Sequence, residues 1–156
     1  MIAGKTYHDD IQEFCDDIQS GKLVAGRLER YAIERYLDDL EHADAKGIYF
    51  DEAAATKAID FFPVLRHTTG EFAGEPFELR RFQKFIIWNI YGWKRKKDGL
   101  RRFRQAYLSF ARGNGKTPFA AAMANHAFVD VNDPRAQVYC FATKEDQAKI
   151  AWTEAK

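Results

Sequence analysis

The stretch Gln105–Val129, QAYLSFARGNGKTPFAAAMANHAFV, decides how this chain is read. Tyr107, Leu108, Ser109 and Phe110 are apolar apart from one serine and fit a short buried strand. Gly113 and Gly115 supply backbone freedom where a chain curls around an anion. Gly-Lys-Thr then opens a helix. Strand, glycine-rich loop and helix is the grammar of a phosphate-binding loop, in which main-chain N–H groups and a helix N-terminus receive the phosphates of a nucleotide. In that grammar Lys116 reaches the β- and γ-phosphates and Thr117 offers its hydroxyl to Mg²⁺. Pro118 lacks an N–H but is tolerated in a helix's first turn. Ala120, Ala121, Ala122, Met123, Ala124 and Ala127 carry the helix on, with side chains small enough to pack closely against a sheet. The pattern G-x-x-x-x-G-K-[ST] asks for glycine five positions before Gly115, where Phe110 stands, so the loop is a variant Walker A loop. The plainer alternative is a glycine-rich strand-to-helix turn with a solvated lysine.

Outward from the loop, the next candidate strand is Gln137–Ala142, QVYCFA, after a turn at Asn132, Asp133 and Pro134. Thr143 is placed to cap a last helix, KEDQAKIAWTEAK. Strand, helix, strand is a βαβ unit, which makes the sheet parallel and the crossover right-handed. The expected fold class is α/β: a helical N-terminal arm followed by the start of a P-loop NTPase parallel sheet, with the βαβ incomplete. Residues 1–65 form the expected arm and residues 66–156 the N-terminal portion of the ATPase domain.

The arm reads as three helices. Tyr7, Ile11, Phe14 and Ile18 make one stripe, stopped near Gly21. Leu28, Ala32, Tyr36 and Leu40 make a second, with Glu29, Arg30, Glu34, Asp38 and Asp39 mostly facing water, ending around Gly47. Asp51 is an N-cap for a third through Ala54, Ala58, Ile59 and Phe62, closed by Pro63. Residues 66–77 read as a loop. A fourth helix carries Leu79, Phe82, Ile86 and Ile90, and Asp98-Gly99 is a turn signal.

Charge is uneven. Residues 1–60 hold 14 acidic and 7 basic side chains, whereas residues 80–104 hold 10 basic ones and a single acid, Asp98. This predicts an acidic N-terminal surface and a basic patch ahead of the loop. A composition that is 46% hydrophobic argues against disorder. Cys15 and Cys140 make no disulfide or zinc framework, and Cys140 is expected to be a small buried hydrophobe. His8, His42, His67 and His126 lack ligand spacing, so no metal is expected beyond Mg²⁺ brought by a nucleotide. No signal peptide and no membrane-length apolar run is visible, and a reducing cytoplasm is the expected compartment.

Together these blocks resemble the large terminase subunit of tailed bacteriophages. The likeness begins near YAIERYLDDL. It runs through FDEAAATKAIDFFPVLRHTTGEFAGEPFELRRFQKFIIWNIYGW and DGLRRFRQAYLSFARGNGKT, and ends with ATKEDQAKIAW. The resemblance implies an ATP-driven motor that pushes double-stranded DNA into an empty capsid, with a separate nuclease domain. It implies that Arg112, Gly113, Asn114, Gly115, Lys116 and Thr117 form the phosphate loop, with Lys116 and Arg112 acting on the phosphates and Thr117 on the metal. Gln83 in LRRFQKF matches a glutamine that contacts adenine; read without the family it is an exposed helix glutamine. The implied cofactors are ATP and Mg²⁺. The implied partners are double-stranded DNA, the small terminase subunit, the portal or procapsid, and further copies of the subunit, with no membrane.

The resemblance also implies acids that do not follow here. After Ala142 only 14 residues remain, without an apolar strand ending in paired acids and without a nuclease carboxylate cluster. The expectation is an N-terminal piece of a terminase, whether by truncation, a split gene or a prophage remnant, with negligible ATP turnover of its own. Two other functions compete. One is a nucleic-acid-binding module using Lys94, Arg95, Lys96, Lys97, Arg101, Arg102 and Arg104 with Trp88, Tyr91, Trp93 and Phe103 for stacking. The other is an interaction arm in which residues 1–60 dock to terminase or capsid components.

Overall fold

A computed structural model describes residues 6–68, 71–111, 113–130, 137–146, 149 and 153. Five helices and one two-stranded antiparallel sheet are present among them. By their contacts the residues divide into two compact units, Met1–Asp60 with Leu79–Ala106, and Phe61–Glu78 with Tyr107–Lys156.

The first unit is built around α1 (Tyr7–Gln19), α2 (Arg27–Glu41), β1 (Ile48–Phe50), α3 (Glu52–Phe61), α4 (Arg81–Gly92) and β2 (Trp93–Arg95). The expected stripe of α1 holds: Ile11, Phe14 and Ile18 are buried, and Cys15 joins them. Burial pushes the Cys15 thiol up to about 12, so it stays protonated as a small hydrophobe. Thr6 and Asp9 close a reciprocal cap at the start of α1. Asp51 caps α3 as expected, its Oδ1 accepting the Ala54 N–H at 2.9 Å.

The face of α2 differs from its stripe. Ile33, Tyr36 and Asp39 are buried, while Leu28 is 68% exposed and Leu40 is exposed. Asp39, expected to face water, has no exposed surface. The cause is ionic. Its carboxylate accepts from Lys46 Nζ at 2.7 Å and from Arg102 Nη1, and a carboxylate satisfied on both oxygens can be buried where an unpaired one cannot.

Two short strands were invisible to periodicity. β1 and β2 pair antiparallel with Ile48 opposite Arg95, Tyr49 opposite Lys94 and Phe50 opposite Trp93. Three residues are too few to show alternation. The strand pair sits over an aromatic core. Trp88 Nε1 donates to the Tyr36 hydroxyl at 3.0 Å, and the Phe50 ring lies 5.0 Å from both Trp88 and Trp93. β2 leads into the Asp98-Gly99 turn, with Gly99 at φ +68°. Asp98 Oδ1 accepts the Leu100 N–H at 3.0 Å, and the Arg95 N–H is bonded to Leu100 O at 2.9 Å.

Lopsided charge becomes internal pairing in this unit. Arg81 Nη1 reaches Asp17 at 2.8 Å and Lys84 reaches Asp10 at 2.9 Å, joining α4 to α1. Lys94 meets Asp51 at 2.6 Å, and Lys96 pairs with Asp44. Hydrogen bonds from Lys22 and Arg81 hold the Asp17 carboxyl below its usual range, and Lys94 followed by the Ala54 N–H does the same for Asp51. The aromatics beside the basic run are not free to stack on bases. Trp88 and Trp93 are fully buried, Tyr91 is buried beneath the Arg101 guanidinium, and Phe103 lies under Arg35 and Arg102.

In the second unit the strand expectations fail. Residues 107–110 and 137–142 carry no ladder, and the only strands among the described residues are β1 and β2. A strand is defined by its partner, and two isolated strands separated by a helix bury too little to hold together. Tyr107 is 89% exposed and Phe141 90%. Cys140, expected in a buried strand, is exposed for the same reason. The turn at residues 132–134 lies outside the described residues, as does most of the helix after Thr143; Glu145, Asp146, Lys149 and Thr153 are helical.

Candidate phosphate-binding loop

The loop after Phe110 is shaped by its glycines. Gly113 has φ +85° and Gly115 has φ +65°, both in the left-handed region that a side chain disfavours. Between them the Asn114 N–H turns back to Ala111 O at 3.3 Å. The helix α5 (Lys116–Asp130) begins at once, with the Phe119 N–H bonded to Gly115 O at 3.0 Å. Lys116 is therefore its first residue and Pro118 its third, where a missing N–H removes no intrahelical bond.

An aromatic cluster anchors α5. Phe119 is buried, stacked 5.8 Å from Phe62 and tilted 5.8 Å from Phe110. Phe62, in a 3-10 turn at Phe62–Val64, also meets Phe77 at 6.0 Å. Buried His126 stands edge-on to Phe61 at 5.1 Å. Ala121 and Ala122 complete the buried face. Phe119 and His126 are thus the residues that fix the loop's helix. Their only sequence signal was the seven-residue spacing that places them on one face of a helix.

The opposite end of the helix start is open. Lys116 is exposed, and Asn114, Gly115 and Thr117 are half-buried. No acidic residue lies in the first turn of α5, and Lys116 has no carboxylate partner among the described residues. A 15-residue helix presents its unpaired first-turn N–H groups and the positive end of its dipole at this point. Donors only, a nearby ammonium and a hydroxyl form a set that suits a phosphate chain with Mg²⁺, so Gly113, Asn114, Gly115, Lys116 and Thr117 fit the group expected of them. Among the described residues no group of three or more His, Cys, Asp and Glu could hold a metal on its own. Arg112 lies outside the described residues.

Gln83 is not the exposed glutamine of its plainer reading. It is only 4% exposed, in the first turn of α4, and its Oε1 accepts the Arg80 N–H at 2.9 Å. Here it closes the N-terminus of its own helix. The signal was available: Gln83 stands three positions after Arg80, the glutamine position of a capping box.

A glycine-flexed loop opening a helix with Lys-Thr defines the class of anion-receiving loops. Residues 81–156 match the family model for the terminase large subunit, ATPase domain. Over these residues the chain is similar to the ATPase domain of terminase large subunits. Comparison with curated proteins and with solved structures gives no match. No helix among the described residues is long and apolar enough to cross a membrane.

Proposed function

We propose that this chain is the N-terminal part of the ATP-driven motor subunit that packages double-stranded DNA into a phage capsid, and that Gly113–Thr117 is its triphosphate loop. One observation carries the reading. Two glycines held at positive φ place Lys116 exposed at the start of α5, inside the residues that match the terminase ATPase family. The Gly113 and Gly115 amides bind phosphate oxygens, joined by the Asn114 amide when it exchanges its 3.3 Å bond to Ala111 O for a phosphate, the Lys116 ammonium neutralises their charge, and Thr117 holds Mg²⁺. The same reading gives Arg112, outside the described residues, the part of a second cation. The bound nucleotide supplies the phosphoryl group whose transfer drives movement. The resemblance assigns Gln83 to adenine, a role open to the side-chain N–H groups, since its Oε1 is used in the cap.

In the same proposal, residues 66–156 begin a P-loop domain whose parallel sheet takes 107–110 and 137–142 as strands once neighbours pair with them, and residues 1–65 form a helical arm. The small terminase subunit, the portal or procapsid and further copies of the subunit are its partners, in a host cytoplasm. The 156-residue polypeptide turns over ATP negligibly, because phosphoryl transfer needs several positioned charges and the loop supplies only the phosphate grip. Steady-state phosphate release checks this. Turnover at ~1 per second or faster would contradict it.

The nucleic-acid and docking-arm alternatives draw less support. Trp88, Tyr91 and Trp93 are buried and half-buried Phe103 is covered by Arg35 and Arg102, and many of the charges both readings need are bonded to each other within the first unit.

A further inference from the structure

An open cavity in the first unit is lined mostly by cations. It has a volume of ≈ 680 Å³ and is walled by Lys46, Gly47, Ile48, Arg95, Lys96, Lys97 and Arg102. Five of these seven residues are cationic and none is acidic. They come from three places that the fold brings together: the turn after α2, the first residue of β1, and the β2 hairpin. The β1–β2 pairing sets Ile48 opposite Arg95, and the Lys96 N–H closes on Gly47 O at 2.9 Å.

Carboxylates do reach these cations, but from outside the wall. Asp39, fully buried, holds Lys46 and Arg102 on its two oxygens. Asp98 holds Arg95 at 2.8 Å, and Asp44 holds Lys96. Lys97 is exposed and has no carboxylate partner among the described residues. Each paired cation uses only part of its donor set, since a guanidinium carries five N–H donors and an ammonium three. The Arg102 guanidinium is further fixed over the Phe103 ring at 5.0 Å. The acids therefore act as braces that hold cations in place, which lowers the ordering cost of receiving a ligand. With Lys97 uncompensated, the five cations outnumber the four bracing acids, Asp38, Asp39, Asp44 and Asp98.

We propose that this cavity is a binding site for phosphate oxygens, built from residues other than those of the 113–117 loop. Five cations spread along one open depression suit several linked phosphates rather than one. Such a chain is carried either by a nucleic-acid backbone or by a free polyphosphate. With Trp88, Tyr91 and Trp93 buried and Phe103 covered by Arg35 and Arg102, the site contacts phosphates and not bases, so it carries no sequence preference.

The test uses the full chain bearing Lys116→Ala, so that the loop contributes nothing, and compares it with the same chain carrying Lys97→Glu as well. Lys97 is exposed and unbraced, and circular dichroism checks that the fold is unchanged. Two probes are titrated at about 50 and 200 mM salt: inorganic tripolyphosphate by calorimetry, and a short random-sequence DNA duplex by fluorescence anisotropy. Binding of either probe that Lys97→Glu weakens several-fold is the expected result, and the probe that binds identifies the source. For the duplex, the log–log salt slope should also shrink by about 1. No binding of either probe at the lower salt, or binding that Lys97→Glu leaves unchanged, overturns the site. Binding in the wild type that Lys116→Ala abolishes overturns it too, while leaving the loop reading intact.

Discussion

Lys94–Arg104 and the loop ending in Lys116 both looked cationic, and the fold treats them in opposite ways. In the first stretch Lys94, Arg95, Lys96 and Arg102 are each bonded to a carboxylate, three of them from the acid-rich N-terminal residues. In the second, Lys116 stands exposed at a helix start with no acid in the first turn. The same contrast extends to apolar side chains. The first unit buries Trp88, Trp93, Tyr36 and Phe14, whereas Tyr107, Tyr139 and Phe141 of the second lie in water. A stretch whose charges and apolar groups are met locally is held in shape without a ligand, and what it offers a ligand is the donors its pairs leave over, with Lys97. A stretch whose groups are left unmet has its full donor set open to one. Composition gives the number of charges on a chain and not how many of them remain available.

The largest test of this contrast is a pair of truncations. Trp88→Ala should cost about 4 kcal/mol of stability, because it empties the centre of the aromatic core and strands the Tyr36 hydroxyl. Phe141→Ala should change stability by less than about 0.5 kcal/mol, since its ring touches mostly water. Urea melts followed by circular dichroism would measure both. Comparable losses would erase the distinction between the two stretches.

Asp39→Asn should cost about 3 kcal/mol, because Lys46 and Arg102 lose the charge that compensates them while the amide stays buried. The same melts read it, and a neutral result would mean that α2 is not held by that pairing.

Acid should act on the first unit in a defined direction. Asp17, Asp38, Asp44 and Asp51 all have their pKa lowered by bonded lysines or arginines. A carboxyl with a lowered folded pKa contributes stability that is present above the unfolded value, near about 4, and disappears as pH falls through the folded value. The melting temperature should hold from neutrality to about pH 5 and drop below about pH 4, with buried Trp88 and Trp93 fluorescence as the reporter. A melting temperature that rises on acidification would contradict the pairing.

A smaller loss than in the core belongs to the loop. Gly113→Ala meets nothing within 4 Å, so its cost is purely conformational, about 1 kcal/mol for a left-handed residue. A substitution that stabilises the chain there would mean that the loop relaxes out of its phosphate-receiving shape.

Much of this was legible in the sequence. The stripe of α1, the Asp51 cap, the Asp98-Gly99 turn and the helix opened by Gly-Lys-Thr follow from side-chain periodicity and turn chemistry, which are local. What escaped was set by distant partners. Asp39 is buried because Arg102 lies 63 positions along the chain. β1 and β2 exist only as a pair. Gln83 was assigned by resemblance when a three-residue capping spacing was already present. Tyr107–Phe110 and Gln137–Ala142 have strand composition, and composition makes no strand without a neighbour.

The most direct measurement is amide-resolved NMR of the isotopically labelled chain during titration with Mg-ATP. The account predicts that the Gly113, Asn114, Gly115 and Lys116 amide resonances move together and saturably, and that Lys116→Ala abolishes the response. Shifts confined to other residues, or the same loop response in Lys116→Ala, would contradict it.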